Sequence, residues 1–240
     1  MALTPDEPPV YPYSAPPSPL ERYLAVDELD ELAELHEDAD FTSAADRAVI
    51  ARVLSTQSDV RAAANLLMYP DVIPADVRID AALRAVAPNA NGYLRIAGAV
   101  AISHLPDLGY PDDARASLLA ALLGVIATDA GPAAVRASSA ISSFLDRESI
   151  AEVVAVLTHP NPSVRHNLVA SLSRFVGESG WESLLREAEA TRPHSTIGVR
   201  EQLATDGVDL NGPVRALPVL PYLPNYQEWA NSYQSTAADS

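Results

Sequence analysis

The chain has 240 residues, 48% hydrophobic and 6% aromatic, with 16 arginines and no lysine set against 32 carboxylates. The formal net charge is −16, and there is no cysteine. Disulfides and thiolate metal sites are thereby excluded. The clustered cations that displace counterions from a nucleic-acid backbone are missing too, so a nucleic-acid partner is disfavoured.

Abundant alanine with few aromatics suits close-packed helices better than a sheet. The longest apolar run, residues 118–127, is about half the length of a membrane span. The N-terminus lacks the basic and apolar regions of a secretory signal. A soluble cytoplasmic protein without membrane contact is expected. An alanine- and arginine-rich, lysine-free chain also points to a high-GC bacterial genome.

Residues 1–20 carry seven prolines, with Tyr11 and Tyr13 among them. That density forbids helix and predicts an extended or disordered arm. Pro8-Pro9-Val10-Tyr11 matches the PPxY pattern read by WW modules, which makes Tyr11 and Tyr13 candidate contact residues.

Residues 21–40 hold nine carboxylates and one arginine. Leu24, Val26, Leu29, Leu32 and Leu35 recur mostly at three-residue spacing, which predicts one amphipathic helix with an acidic face. Two readings stay open. The helix is a cap whose polar outer side keeps the end of a repeat stack soluble, or Asp27, Glu28, Asp30, Glu31 and Glu34 dock a basic partner.

From residue 41 to 210 an arginine recurs behind a small or apolar residue at the start of an apolar run. The copies include Asp59-Val60-Arg61, Tyr93-Leu94-Arg95, Ala134-Val135-Arg136, Ser163-Val164-Arg165 and Gly198-Val199-Arg200, spaced by 34, 41, 29 and 35 residues. Self-similarity at such a period marks stacked helix pairs. The pairs are read as 43–55 with 58–69, 74–87 with 91–104, 112–127 with 132–146, 148–158 with 162–176, and 180–190 with 196–206. Pro74, Pro111, Pro132 and Pro162 sit at helix starts, where a first-turn proline is tolerated. Pro70, Pro88, Pro106 and Pro160 mark helix ends. Asp59, Asp76 and Asp113 lie near helix N-termini, where a carboxylate can cap amides.

Proline punctuation, the period and the arginine entry together resemble HEAT repeats. The best copy is Val156-Leu157-Thr158-His159-Pro160-Asn161-Pro162-Ser163-Val164-Arg165. The resemblance implies an all-α, right-handed α-solenoid of about five helix pairs with extended Pro-rich termini. It also implies that Arg61, Arg95, Arg136, Arg165 and Arg200 form a structural ladder between neighbouring repeats.

Residues 211–240 form a second Pro-rich segment ending in a short predicted helix that carries Tyr226, Trp229 and Tyr233. It either seals the last repeat or binds a partner, with Trp229 and Tyr233 as the candidate contacts.

No residue is assigned to catalysis, cofactor or metal. His36, His104, His159, His166 and His194 show no ligand spacing, and neither a nucleophile elbow nor a Gly-rich phosphate loop occurs. The reading is a noncatalytic protein–protein scaffold or adaptor, with an inhibitor or immunity-type binder of a basic protein as its narrower form. The alternatives are a DNA glycosylase or other enzyme of HEAT-like build, which the acidic composition disfavours, and a structural subunit of an assembly. Oligomeric state is left open.

Overall fold

The computed structural model describes residues 17–157, 159–173 and 175. Within them the chain is all-helical, with no strand. The helices are α1 (Pro19–Ala25), α2 (Leu29–Glu37), α3 (Ala44–Thr56), α4 (Val60–Met68), α5 (Ala75–Ala85), α6 (Gly92–Leu108), α7 (Arg115–Thr128), α8 (Pro132–Ala140), α9 (Ile150–Ala155) and α10 (Pro162–Ser173). Short 3₁₀ turns stand at Pro70–Val72, Asp112–Ala114 and Ile141–Ser143. The fifth predicted pair with Arg200, the segment carrying Trp229 and Tyr233, and the arm carrying Tyr11 and Tyr13 lie outside the described residues.

Helix starts follow local chemistry. Asp59 accepts the Ala62 amide at 3.0 Å, and Asn91 accepts that of Tyr93 at 2.8 Å. Asn161 likewise takes the Ser163 amide at 2.9 Å. Each bond satisfies one of the amides that a helix N-terminus leaves unpaired. Asp76 and Asp113 lie in first turns without making such a cap. Pro132 and Pro162 open α8 and α10, where a missing N–H costs nothing.

Packing then arranges the helices in a row. α3 packs on α4, α5 on α6 and α7 on α8, while α4, α6, α8 and α10 each pack on the next of their kind. The centre of the row is built from small side chains. Ala62–Ala64 of α4, Ala97–Ala99 and Ala101 of α6 (with Gly98 among them), and Ala133, Ala134 and Ala137 of α8 are buried. α6 is buried continuously from Leu94 to Ile102. Val164 and Leu168 carry the core into α10, each wholly buried.

Three expectations need correction. Residues 21–40 form two helices, because the chain turns extended at Val26, the C-cap of α1. The carbonyls freed there are met by a distant donor: Asn65 Nδ2 of α4 reaches Tyr23 O at 3.1 Å and Val26 O at 3.0 Å. The proline-rich arm is also shorter than 1–20. Pro19 is the first residue of α1, Ser18 and Glu21 close a reciprocal capping box over it, and Leu20 is buried. Finally, Pro106 lies inside α6. It stands in the last turn, where the helix loses one bond and still runs on to Gly109, whose φ of 80° ends it.

Candidate functional site

α2 owes its placement to its leucines. Leu32 is fully buried, and Leu29 and Leu35 are half-buried against the core. His36 fixes the far end, its ring stacked on Tyr69 with centroids 4.2 Å apart and its Nε2 3.3 Å from Asp71 Oδ2. The leucine spacing then dictates the opposite face. Asp27, Glu28, Asp30, Glu31 and Glu34 are all exposed, and so are Glu37, Asp38 and Asp40. One of these carboxylates is neutralised internally, since Asp27 pairs with Arg61 at the head of α4.

The arginines of the helix entries, together with Arg78 of α5 and Arg115 of α7, are largely turned onto their own chain. Arg78 donates to Ile73 O at 2.8 Å. Arg115 donates to Phe144 O at 2.9 Å and Leu145 O at 3.1 Å. Arg165 donates to His159 O at 2.7 Å and Pro160 O at 2.9 Å. Arg95 is buried, 3.2 Å from Asp129 and 2.7 Å from Thr128 Oγ1. Arg136 is half-buried on α8. Hydrogen bonds to carbonyls and to a buried carboxylate hold these guanidinium groups against the chain, leaving the buried Nε of Arg78 and of Arg95 without a hydrogen bond among the described residues, so they offer little to an external anion.

The long-range contacts at these junctions carry no sequence signal. Asp129, at the α7–α8 connection, receives the Gly131 amide at 2.8 Å, and its carbonyl lies 2.7 Å from His159 Nε2. Asn161 adds a bond to Ala130 O at 3.0 Å. Asn167 of α10 donates to Ser138 Oγ of α8 at 3.1 Å, which puts that helical serine at a packing contact. His159 is therefore spent on structure: its Nδ1 accepts the Asn161 amide at 3.0 Å.

Among the described residues, no three His, Cys, Asp or Glu side chains come together as a metal site. No helix there is long and apolar enough to cross a membrane. A recess of about 560 Å³ between the α2–α3 connection and the start of α5 is lined by Asp40, Asp71 and Asp76 together with Arg47 and Arg78, so its charges are mixed.

Compared with models of known protein families, with curated proteins and with solved structures, the chain matches none of them.

Proposed function

We propose that the chain is a noncatalytic interaction module, a HEAT-like α-solenoid that binds a basic protein partner through the outer face of α2. On this reading it is a cytoplasmic scaffold or adaptor, or an inhibitor that covers a basic surface. The row of paired helices and the arginine entries support the HEAT-like assignment.

The observation that carries the functional reading is the split between the two signs of charge. The carboxylates of residues 27–40 face solvent, whereas most of the recurrent arginines are bonded to their own chain. Among the described residues, α2 thus turns a run of carboxylates outward on a chain of net charge −16, while the arginines at the helix entries are mostly engaged by the chain itself. Such a field steers basic partners and repels phosphate backbones. The same disposition argues against the DNA-glycosylase alternative, which requires a basic groove. Capping and docking are compatible in α2, since its leucines close the core while its carboxylates remain outside.

Affinity capture from host lysate, with and without nuclease, tests the partner class. A stoichiometric basic protein released by salt supports the proposal. Nuclease-sensitive nucleic acid in its place would overturn it.

A further inference from the structure

A groove of about 430 Å³ runs along α7 and is walled on its other side by residues 144–152. Its floor is Ala116, Leu119, Ala120 and Leu123, with Phe144 at its base. Spacings of three and four residues place these α7 side chains in one stripe about two turns long. Ala116 and Ala120 are exposed, so small side chains keep the floor open for close approach.

The rim is mainly acidic. Asp112 stands on one side, and Asp146, Glu148 and Glu152 on the other. Asp112, Glu148 and Glu152 are exposed, and no hydrogen bond or ion pair within the described residues engages their side chains. Asp146 is held by the Ser149 hydroxyl and amide, which keep its carboxyl below the usual range and therefore charged. The lining cation, Arg115, is turned onto the carbonyls of Phe144 and Leu145 and lies 4.0 Å from Asp146 Oδ2, so the carboxylates left for a partner are Asp112, Glu148 and Glu152.

The groove beside α1 and α3 differs. Its carboxylates are already engaged at helix caps, Glu21 by the Ser18 amide, Asp46 by the hydroxyl of the capping Ser43 and Asp59 by the Ala62 amide.

We infer that the α7 groove docks an amphipathic helical segment of the basic partner. Its apolar side chains lie along Leu119 and Leu123, and flanking arginines or lysines meet Asp112, Glu148 and Glu152. Helix-in-groove recognition needs this combination of an apolar stripe and complementary rim charge. A second copy of this chain, at net charge −16, carries the wrong sign for the rim. The inference rests on the proposed function, because it assigns a second contact to the same partner class, and two contacts raise avidity.

The test uses the full chain and a fluorescein-labelled helical peptide. Its leucines stand at i, i+3, i+4 and i+7, flanked by arginines; control peptides carry glutamate flanks or serine for leucine. The expected result is anisotropy-detected binding of the arginine peptide alone. Ala120→Arg, or Glu148→Lys with Glu152→Lys, weakens it by about tenfold or more. All three positions are exposed, and circular dichroism checks that the fold persists. Neutralising Asp27, Glu28, Asp30, Glu31 and Glu34 should leave peptide affinity within about twofold, because screening by salt and distance isolates the groove. No binding of the arginine peptide, equal binding of the glutamate control, or indifference to Ala120→Arg would each overturn the inference. A basic partner still held by α2 while the peptide fails would sink the groove alone. A bound peptide with no salt-sensitive basic partner would sink the proposed function alone.

Discussion

Arg95 Nη1 and Asp129 Oδ2 lie 3.2 Å apart, with side chains only 8% and 2% exposed. This pair joins α6 to the α7–α8 connection. The carbonyl of the same aspartate lies 2.7 Å from His159 Nε2 on the connection into α10. One residue therefore ties three successive helix pairs together. Removing one partner of a buried ion pair leaves the other charge desolvated and costs about 3–5 kcal/mol.

We predict a loss of that order for Asp129→Ala in urea-induced unfolding. Asp129→Asn combined with Arg95→Met should cost less than the sum of the two single changes, by more than about 1 kcal/mol. Simple additivity would show that the two side chains do not depend on each other.

Gly98 lies at the closest approach of α5 to α6. A Cβ there would stand 2.8 Å from Ala85 Cβ and 2.9 Å from Val86 Cγ1. Overpacking of this kind costs about 1–3 kcal/mol, set against about 1 kcal/mol of helix propensity gained by alanine. Gly98→Ala should therefore lower the thermal midpoint despite the better helix former. A raised midpoint would mean that α5 and α6 separate easily.

Much of the helix order is legible in the chain. Pro132 and Pro162 fall at helix starts as expected, and the caps at Asp59 and Asn161 are local events within three residues. What escapes is long-range. The break after α1 is fixed by Asn65, some forty residues away, and no local pattern at Val26 announces it. Asp129 looks like any loop aspartate until Arg95 and His159 converge on it. The acidic face of α2 follows from its leucine spacing, because periodicity determines which side must be buried. The α7 groove does not, since its far wall is a 3₁₀ turn and loop whose position depends on tertiary packing.

Tyr23 is fully buried, edge-on to Phe41 at 5.2 Å between ring centroids. Its hydroxyl makes no hydrogen bond within the described residues. Burial first, then the nearby Asp71 charge and Tyr69, push the phenol well above its usual range, so it stays protonated. A buried hydroxyl without a partner is a cost, and removing it spares the fold roughly 1 kcal/mol. Tyr23→Phe should raise the thermal midpoint by about 2–4 °C. A loss of stability would reveal an acceptor for the hydroxyl.

Asp146 supplies a pH-dependent contribution. Its carboxyl is lowered chiefly by the Ser149 hydroxyl; burial, the next largest influence, opposes this, and the Ser149 amide and Arg115 add to the lowering. A depressed folded-state value adds stability above the ordinary carboxylate range, and that stability is lost as pH falls through the folded value. Ser149→Ala should move the Asp146 titration upward by NMR. The stability gap between the native chain and this variant should be present at neutral pH and shrink in acid. A gap that does not change with pH would place the role of Ser149 elsewhere.

The central claim is that the outer face of α2 binds a basic protein. The most direct measurement compares the native chain with one carrying Asp27→Asn, Glu28→Gln, Asp30→Asn, Glu31→Gln and Glu34→Gln, titrating the captured partner across a range of salt. We predict tight binding by the native chain that weakens steeply with salt. The neutralised chain should bind much more weakly with a nearly flat salt response. Equal affinity and equal salt dependence for the two chains would contradict the account and leave α2 as a cap.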